Sequence, residues 1–267
     1  MSVMAVYEAR GPVHVSPRVP LSRVTKVELR KMFNTRSGFW LIASIAISAL
    51  LATGGVILWA PDGQLTYSTF ATAIRFPVVV ILPLIAILAV TSEWSQRTGL
   101  TTFTLVPHRG RIITAKAISS VLIAVAAMVL TFAVGALGNL ASTAVTGTAL
   151  VWDVTLTQCL YYVLGMILSL LMGFMLGVLI RSSTGAIVAY FVLTFVLPTI
   201  FGLLAESQQW FHDLQPWVDI QFAQSGLFVF QQAMTGEQWA NIAVTGATWL
   251  LVPLTIGLGF VMRAEVK

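Results

Sequence analysis

Six apolar runs separated by polar stretches dominate the pattern of the chain. The first, about 39–60, is uncharged and, at about 1.5 Å per residue, long enough to cross a hydrocarbon core of roughly 30 Å. Pro61-Asp62-Gly63 stops it. The second, about 76–91, is shorter, and Pro77 and Pro83 are expected to bend it. Four more follow at about 117–140, 160–180, 186–204 and 240–262. The expected fold class is all-α: a polytopic membrane protein with six transmembrane helices.

The remaining stretches are less uniform. Residues 1–21, with Gly11, Pro12, Pro17 and Pro20, lack sustained periodicity and read as a flexible cytoplasmic tail. From 22 to 36 the pattern becomes that of an amphipathic helix, with Val24, Val27, Met32 and Phe33 set against Arg23, Lys26, Arg30 and Arg36. Ser22 is its expected N-cap. Such a helix suits the membrane interface. Before the sixth run, 205–239 is only half polar and contains the apolar piece 226–230. That piece is too short to span. It reads either as a re-entrant outer loop or, with Trp210, Phe211, Trp217, Phe222 and Trp239, as an aromatic belt at headgroup level. Residues 22–267 are thus expected to form one membrane domain.

In the fourth run Gly165, Ser169, Gly173 and Gly177 recur every four residues. This spacing puts them on one helix face, where small side chains let another helix come close. Met166, Met172 and Met175 in the same run read as packing residues before cargo contacts.

Composition agrees with a membrane protein: 57% of residues are hydrophobic and 9% charged. The net charge of +5 comes from bases beside the apolar runs, where they face anionic lipid and fix orientation rather than bind nucleic acid. With both termini inside, every one of the fifteen Lys and Arg residues except Arg75 falls on the inner side, and Lys/Arg bias sets topology. The expected location is the inner or plasma membrane of a bacterial cell.

Enzyme chemistry finds little footing. There is no phosphate-binding G-x-x-x-x-G-K-[ST], no G-x-S-x-G and no H-E-x-x-H; Gly257 and Gly259 are spaced like the start of a dinucleotide fingerprint but sit in an apolar run. Cys159 is single and reads as filler, and His14, His108 and His212 lie far apart in loops, so no metal site is expected. The six runs also hold no charged residue away from their ends. Ion-coupled carriers usually keep one at membrane depth, so energy is expected to come from a cytoplasmic partner.

Between the second and third runs lies a polar stretch, 92–116, with an acid, several bases, Gly99 and Pro107. Glu93 and Arg97 stand in the favoured i, i+4 order. Residues 101–106 can form a short helix presenting Phe103, Leu105 and Val106 to a groove. The plainer alternative is a solvated basic loop that only enforces topology. Glu93, Arg97, Gly99, Thr101, Leu105, Pro107, Arg111 and Lys116 together resemble the signature of ABC-2 type permeases, with Leu100 standing between the glycine and the threonine.

That resemblance implies a good deal. The stretch from Glu93 to Pro107, including Phe103, would be a coupling helix on a separate ABC ATP-binding subunit. The helix carrying Arg23, Lys26, Arg30 and Arg36 would be a connecting helix against the same subunit. The outer loop 208–239 would act as an exit gate. ATP and Mg would be bound by the partner, with no cofactor on this chain. A second, identical permease chain would complete the transporter, the path lying between spans one, two and five of both copies. Its apolar lining would suit a hydrophobic or amphipathic substrate such as a drug, lipid or peptide. A membrane scaffold or sensor that recruits a cytoplasmic partner is the alternative from another class. A secondary carrier is disfavoured by the missing intramembrane charge.

Overall fold

The computed structural model describes residues 20–95, 109–230 and 233–263, and all regular structure among them is helical. The first helix, α1, runs Leu21–Asn34. Pro20, not Ser22, occupies its N-cap position and makes no side-chain cap. Proline suits a helix start because its fixed φ and missing N–H cost nothing there. A single residue, Thr35, separates α1 from α2, Arg36–Trp59, and its hydroxyl accepts the Gly38 N–H at 3.2 Å. Arg36, expected at the end of the connecting helix, therefore opens α2, two residues before the apolar span Gly38–Trp59. Gly38 is required at this junction, because a Cβ would overlap the Met32 carbonyl oxygen.

The second span, α3, covers Tyr67–Ser95 and so begins nine residues before the expected start. Its Thr/Ser-rich first turn looks like loop in sequence. In the fold those hydroxyls are spent locally, Thr66 Oγ1 lying 3.1 Å from Ser68 Oγ and 3.3 Å from Thr69 Oγ1. The Asp153 carboxylate takes the Ser68 N–H at 2.8 Å and the Ser68 hydroxyl at 2.5 Å. A carboxylate at a helix N-terminus satisfies orphan donors and opposes the positive dipole end. Pro77 and Pro83 both lie inside this helix.

The third span, α4, runs Arg109–Thr146 and ends at Gly147, whose φ of +72° few other residues adopt. In α5, Leu156–Ile180, a reciprocal capping box joins Thr155 and Gln158. The fifth span, α6, is Ser183–Ser207. Between it and the last span come α7, Gln209–Val218, then α8, Ile220–Ser225, and a 3-10 turn, Gly226–Phe228. The last span, α9, is Gly236–Arg263 and starts with a second capping box, Thr235 with Gln238.

Spans α6 and α9 share an irregularity. Each contains a π-helical stretch, Val192–Val196 and Ala247–Leu251, followed within two residues by Pro198 and Pro253. Proline removes one N–H and its ring crowds the carbonyl four residues back. A wider turn ahead of it relieves the crowding.

Six of these helices are long and apolar enough to cross a membrane. The chain is therefore a multi-pass membrane protein. At its centre stands α5, of whose most apolar stretch 61% is buried. A Cβ at Gly173 would lie 2.6 Å from the Pro83 carbonyl oxygen, and one at Gly177 3.3 Å from Val90 Cβ. These two glycines therefore set the approach of α3. Gly257 of α9 comes as close from another side, 3.1 Å from the Leu179 backbone. Met166, Met172 and Met175 are all buried in the interior.

Candidate functional site

Two places concentrate polar groups, one at each end of the bundle. The first joins α1 to the start of α4. Burying Val24, Thr25, Glu28 and Met32 leaves Arg23, Lys26 and Arg30 exposed on the other side of α1. Val27 and Phe33, read in sequence as part of the apolar face, are half exposed. The anchor is Glu28, which the basic pattern of this helix conceals. It is 4% exposed, as is Lys116. Lys116 Nζ donates to Glu28 Oε2 at 2.6 Å and to the Ala89 carbonyl of α3 at 3.0 Å, while Lys31 Nζ donates to Glu28 Oε1 at 2.8 Å. Ser119 Oγ adds a bond to the Thr25 carbonyl at 3.2 Å.

Burial alone would raise the Glu28 carboxyl; the adjacent Lys116 and Lys31 outweigh it and hold the group below the ordinary carboxylate value. Glu28 thus stays ionised, and a single side chain links α1, α4 and, through Lys116, α3. Since Ala89 lies near the end of α3 and Lys116 near the start of α4, α1 lies at the same end as the connection between those spans. Glu93 belongs to the last turn of α3. Arg97, Gly99, Thr101, Phe103, Leu105 and Pro107, with which it forms the expected coupling segment, lie outside the described residues.

The second place is at the opposite end, around Arg75. With α3 starting at Tyr67, Arg75 lies in its third turn, about 12 Å along the helix axis. It is inside a membrane span rather than in an outer loop. The expectation that the spans carry no charge away from their ends is thereby corrected. The cause is the length of α3, whose hydroxyl-rich start looks like a connector in the sequence. A central arginine costs about 2.5–3.5 kcal/mol on insertion scales, so such residues usually face the protein interior.

Arg75 does so. Its guanidinium sits over the Phe228 ring, 4.0 Å from the centroid. Phe228 comes from the 3-10 turn after α8 and meets Tyr162 edge-on at 5.4 Å, while Phe230 stacks on Tyr162 at 5.4 Å. Tyr162 is oriented by donating to the Ala71 carbonyl at 3.0 Å. The stripe residue Gly165 serves this contact: a Cβ there would lie 2.5 Å from the Phe228 ring. Ser169 lies 3.4 Å from the Tyr190 hydroxyl of α6. The four-residue stripe therefore faces three different neighbours, with Gly165 towards the turn after α8, Ser169 towards α6, and Gly173 and Gly177 towards α3.

Among the described residues no group of three or more His, Cys, Asp or Glu is placed to hold a metal ion. A family described as Protein of unknown function (DUF2705) matches residues 40–260, most of the chain. The chain belongs to that family. The match takes in all of both ends except α1, so Arg75, Tyr162, Gly165 and Phe228 fall within the family region and Glu28 precedes it. No curated protein matches the chain.

Proposed function

We propose that this chain is the membrane-spanning permease subunit of an ABC exporter, moving a hydrophobic or amphipathic substrate outward with ATP hydrolysis supplied by a separate subunit. The observation that carries the reading is the Glu28–Lys116 pair. It ties a helix with an exposed basic face rigidly to the two spans flanking the 96–108 connection. A force applied to α1 or to that connection is then passed directly to α3 and α4. A helix that merely rested on lipid would not need a buried ion pair, which is costly to form and rigid once formed.

The resemblance in Glu93 to Lys116 supports the same reading, with Arg97, Gly99, Thr101, Phe103, Leu105 and Pro107 contacting the motor. In this scheme the termini and α1 lie in the cytoplasm and α7–α8 face outward. A second copy of the chain fits the bareness of α6, of whose most apolar stretch 6% is buried. Closure of the ATP-bound motor would push the 96–108 connection and rock the spans.

The test is co-purification with an ATP-binding subunit expressed from the same source. Reversing Arg23, Lys26 and Arg30 to Glu should leave membrane insertion intact and abolish recovery of the ATPase. Reversing Glu93 to Lys should lower its coupled hydrolysis. Unchanged hydrolysis and recovery in both variants would remove the coupling role. Recovery of a kinase or protease in place of an ATPase would favour a scaffold. Arg75 supports a second reading, an ion- or anion-coupled carrier, because a charge does lie within a span. Transport by the purified chain without ATP would establish that one instead.

A further inference from the structure

Arg75 is a cation with no counter-charge paired to it among the described residues. A guanidinium carries five N–H donors, and among the described residues none of them reaches an acceptor; its contact is the face of Phe228. Two carboxylates of the connecting segments are engaged elsewhere. Asp153 holds Ser68, and Asp219 accepts the Gln221 N–H at 2.9 Å and the Phe222 N–H at 3.2 Å. An arginine at this depth that is paired neither to an acid nor to a carbonyl is placed to meet an anion from outside the chain.

The surroundings say which kind. The cleft at Arg75 is walled by Ile74, Val78, Met128 and Phe132, with Thr131 and Tyr162 completing its lining. Apolar walls next to one cation match an apolar tail next to one anion. The cleft as it stands has about 10 Å³ of free space, enough for one water. The Phe228 ring lies over the guanidinium itself and fills the hollow left by Gly165, so its removal would open the face of the charge that the ring now covers.

We propose that Arg75 binds the anionic head of an amphiphile, a phosphate or carboxylate, and that Phe228 is the displaceable cover of this site. The face of a ring offers the guanidinium a weak, non-ionic partner. A phosphate or carboxylate offers a charge-assisted, bidentate one. An arriving headgroup therefore outcompetes the ring. Displacement of Phe228 also frees the turn that connects α8 to the start of α9, so occupancy of the site is reported to the outer segment. This inference needs no motor, and its test uses the chain alone.

The purified chain in neutral detergent is titrated with dodecyl phosphate, with dodecyltrimethylammonium, and with phosphatidylglycerol, following retained molecules by native mass spectrometry and unfolding by thermal shift. A second readout is maleimide labelling of Leu227→Cys in a Cys159→Ala background, since Leu227 is 2% exposed while the segment is seated. The anions should bind and raise the labelling rate, and the cation should do neither. Arg75→Gln should weaken anion binding by at least about tenfold, with Arg75→Lys retaining part of it. Phe228→Ala should tighten it, and this variant keeps the site testable should Arg75→Gln fail to fold. Retention of phosphatidylglycerol without dodecyl phosphate would assign the site to a bilayer lipid, and binding of both to a mobile amphiphile. Equal binding of cation and anion, or no tightening in Phe228→Ala, would overturn the proposal.

Discussion

Spans α5 and α6 have the same length, 25 residues, and nearly the same hydropathy, 2.6 and 2.3, yet 61% of the first's most apolar stretch is buried and only 6% of the second's. Hydropathy therefore tells which segments leave water and nothing about which segments meet each other. In a bilayer the lipid tails are as apolar as leucine, so burial between spans is decided by shape. The shape of α5 is set by its small residues, each of which receives a specific neighbour: the Phe228 ring, Tyr190, the backbone of Pro83, or Val90. In α6, Gly202 has nothing within 4 Å of where a Cβ would stand. Val188, Ile200 and Leu203 are more than half exposed. Its first half touches the bundle through Ala186 and Tyr190, and its second half meets α7, Phe201 lying 5.4 Å from the Phe211 ring.

The contrast can be broken at its strongest point by enlarging one glycine in each helix. Gly173→Leu forces a side chain into the Pro83 backbone, which has no flexible end to yield, and should cost about 3 kcal/mol or more. The equivalent Gly202→Leu should stay within about 0.5 kcal/mol. Thermal unfolding in one detergent measures both, and similar losses in the two would mean that α6 is packed in solution as tightly as α5.

A smaller effect is expected at Tyr190, which ties α6 to α3 and meets α5 at Ser169. Tyr190 donates to the Val79 carbonyl at 2.6 Å and approaches Ser169. Tyr190→Phe keeps the ring and removes that bond, for a loss of about 1 kcal/mol. Protease or exchange protection should fall in α6 and stay unchanged in α5. Loss of protection in both would show that α5 depends on its bare neighbour.

The smallest effect concerns the connection leading into α5. Burial would raise the Asp153 carboxyl, but the hydrogen bonds from Ser68 prevail and hold it below its ordinary value. A lowered folded value means that its contribution is complete above the unfolded value, near 3.8, and is lost as the pH falls through the folded one. Amide exchange at the start of α3 should therefore rise in that acid window, with α5 and α6 unaffected. Asp153→Asn should remove the pH dependence. An identical acid response in the variant would assign it to another group.

Much of the architecture was open to reading from the chain. Each apolar run became a span because twenty or so apolar residues admit little else in a bilayer. The Gly165–Gly177 spacing announced close contact, though not that its members would face three partners. Contacts across the fold were the harder part. Nothing local links Phe228 to Gly165 or Glu28 to Lys116, since such pairs are decided by tertiary placement. Boundaries failed where polar residues were used by the helix itself: Thr66, Ser68 and Thr69 read as a connector, and so Arg75 was placed outside the membrane. Glu28 is hidden in the sequence because one acid among five bases in 22–36 resembles a surface charge, when its neighbour Lys116 on α4 makes it an anchor.

The wide turns before Pro198 and Pro253 also change how the outer surface of the protein should be mapped. Each residue advances a regular helix by about 100°, and a turn that takes in an additional residue shifts the azimuth of everything beyond it by a comparable angle. A scanning series along α6 or α9 that counts fours from the first half will drift onto the wrong side in the second. Phase has to be restarted at Leu197 and Val252, and side chains on either side of those points that line up in a helical wheel point in different directions.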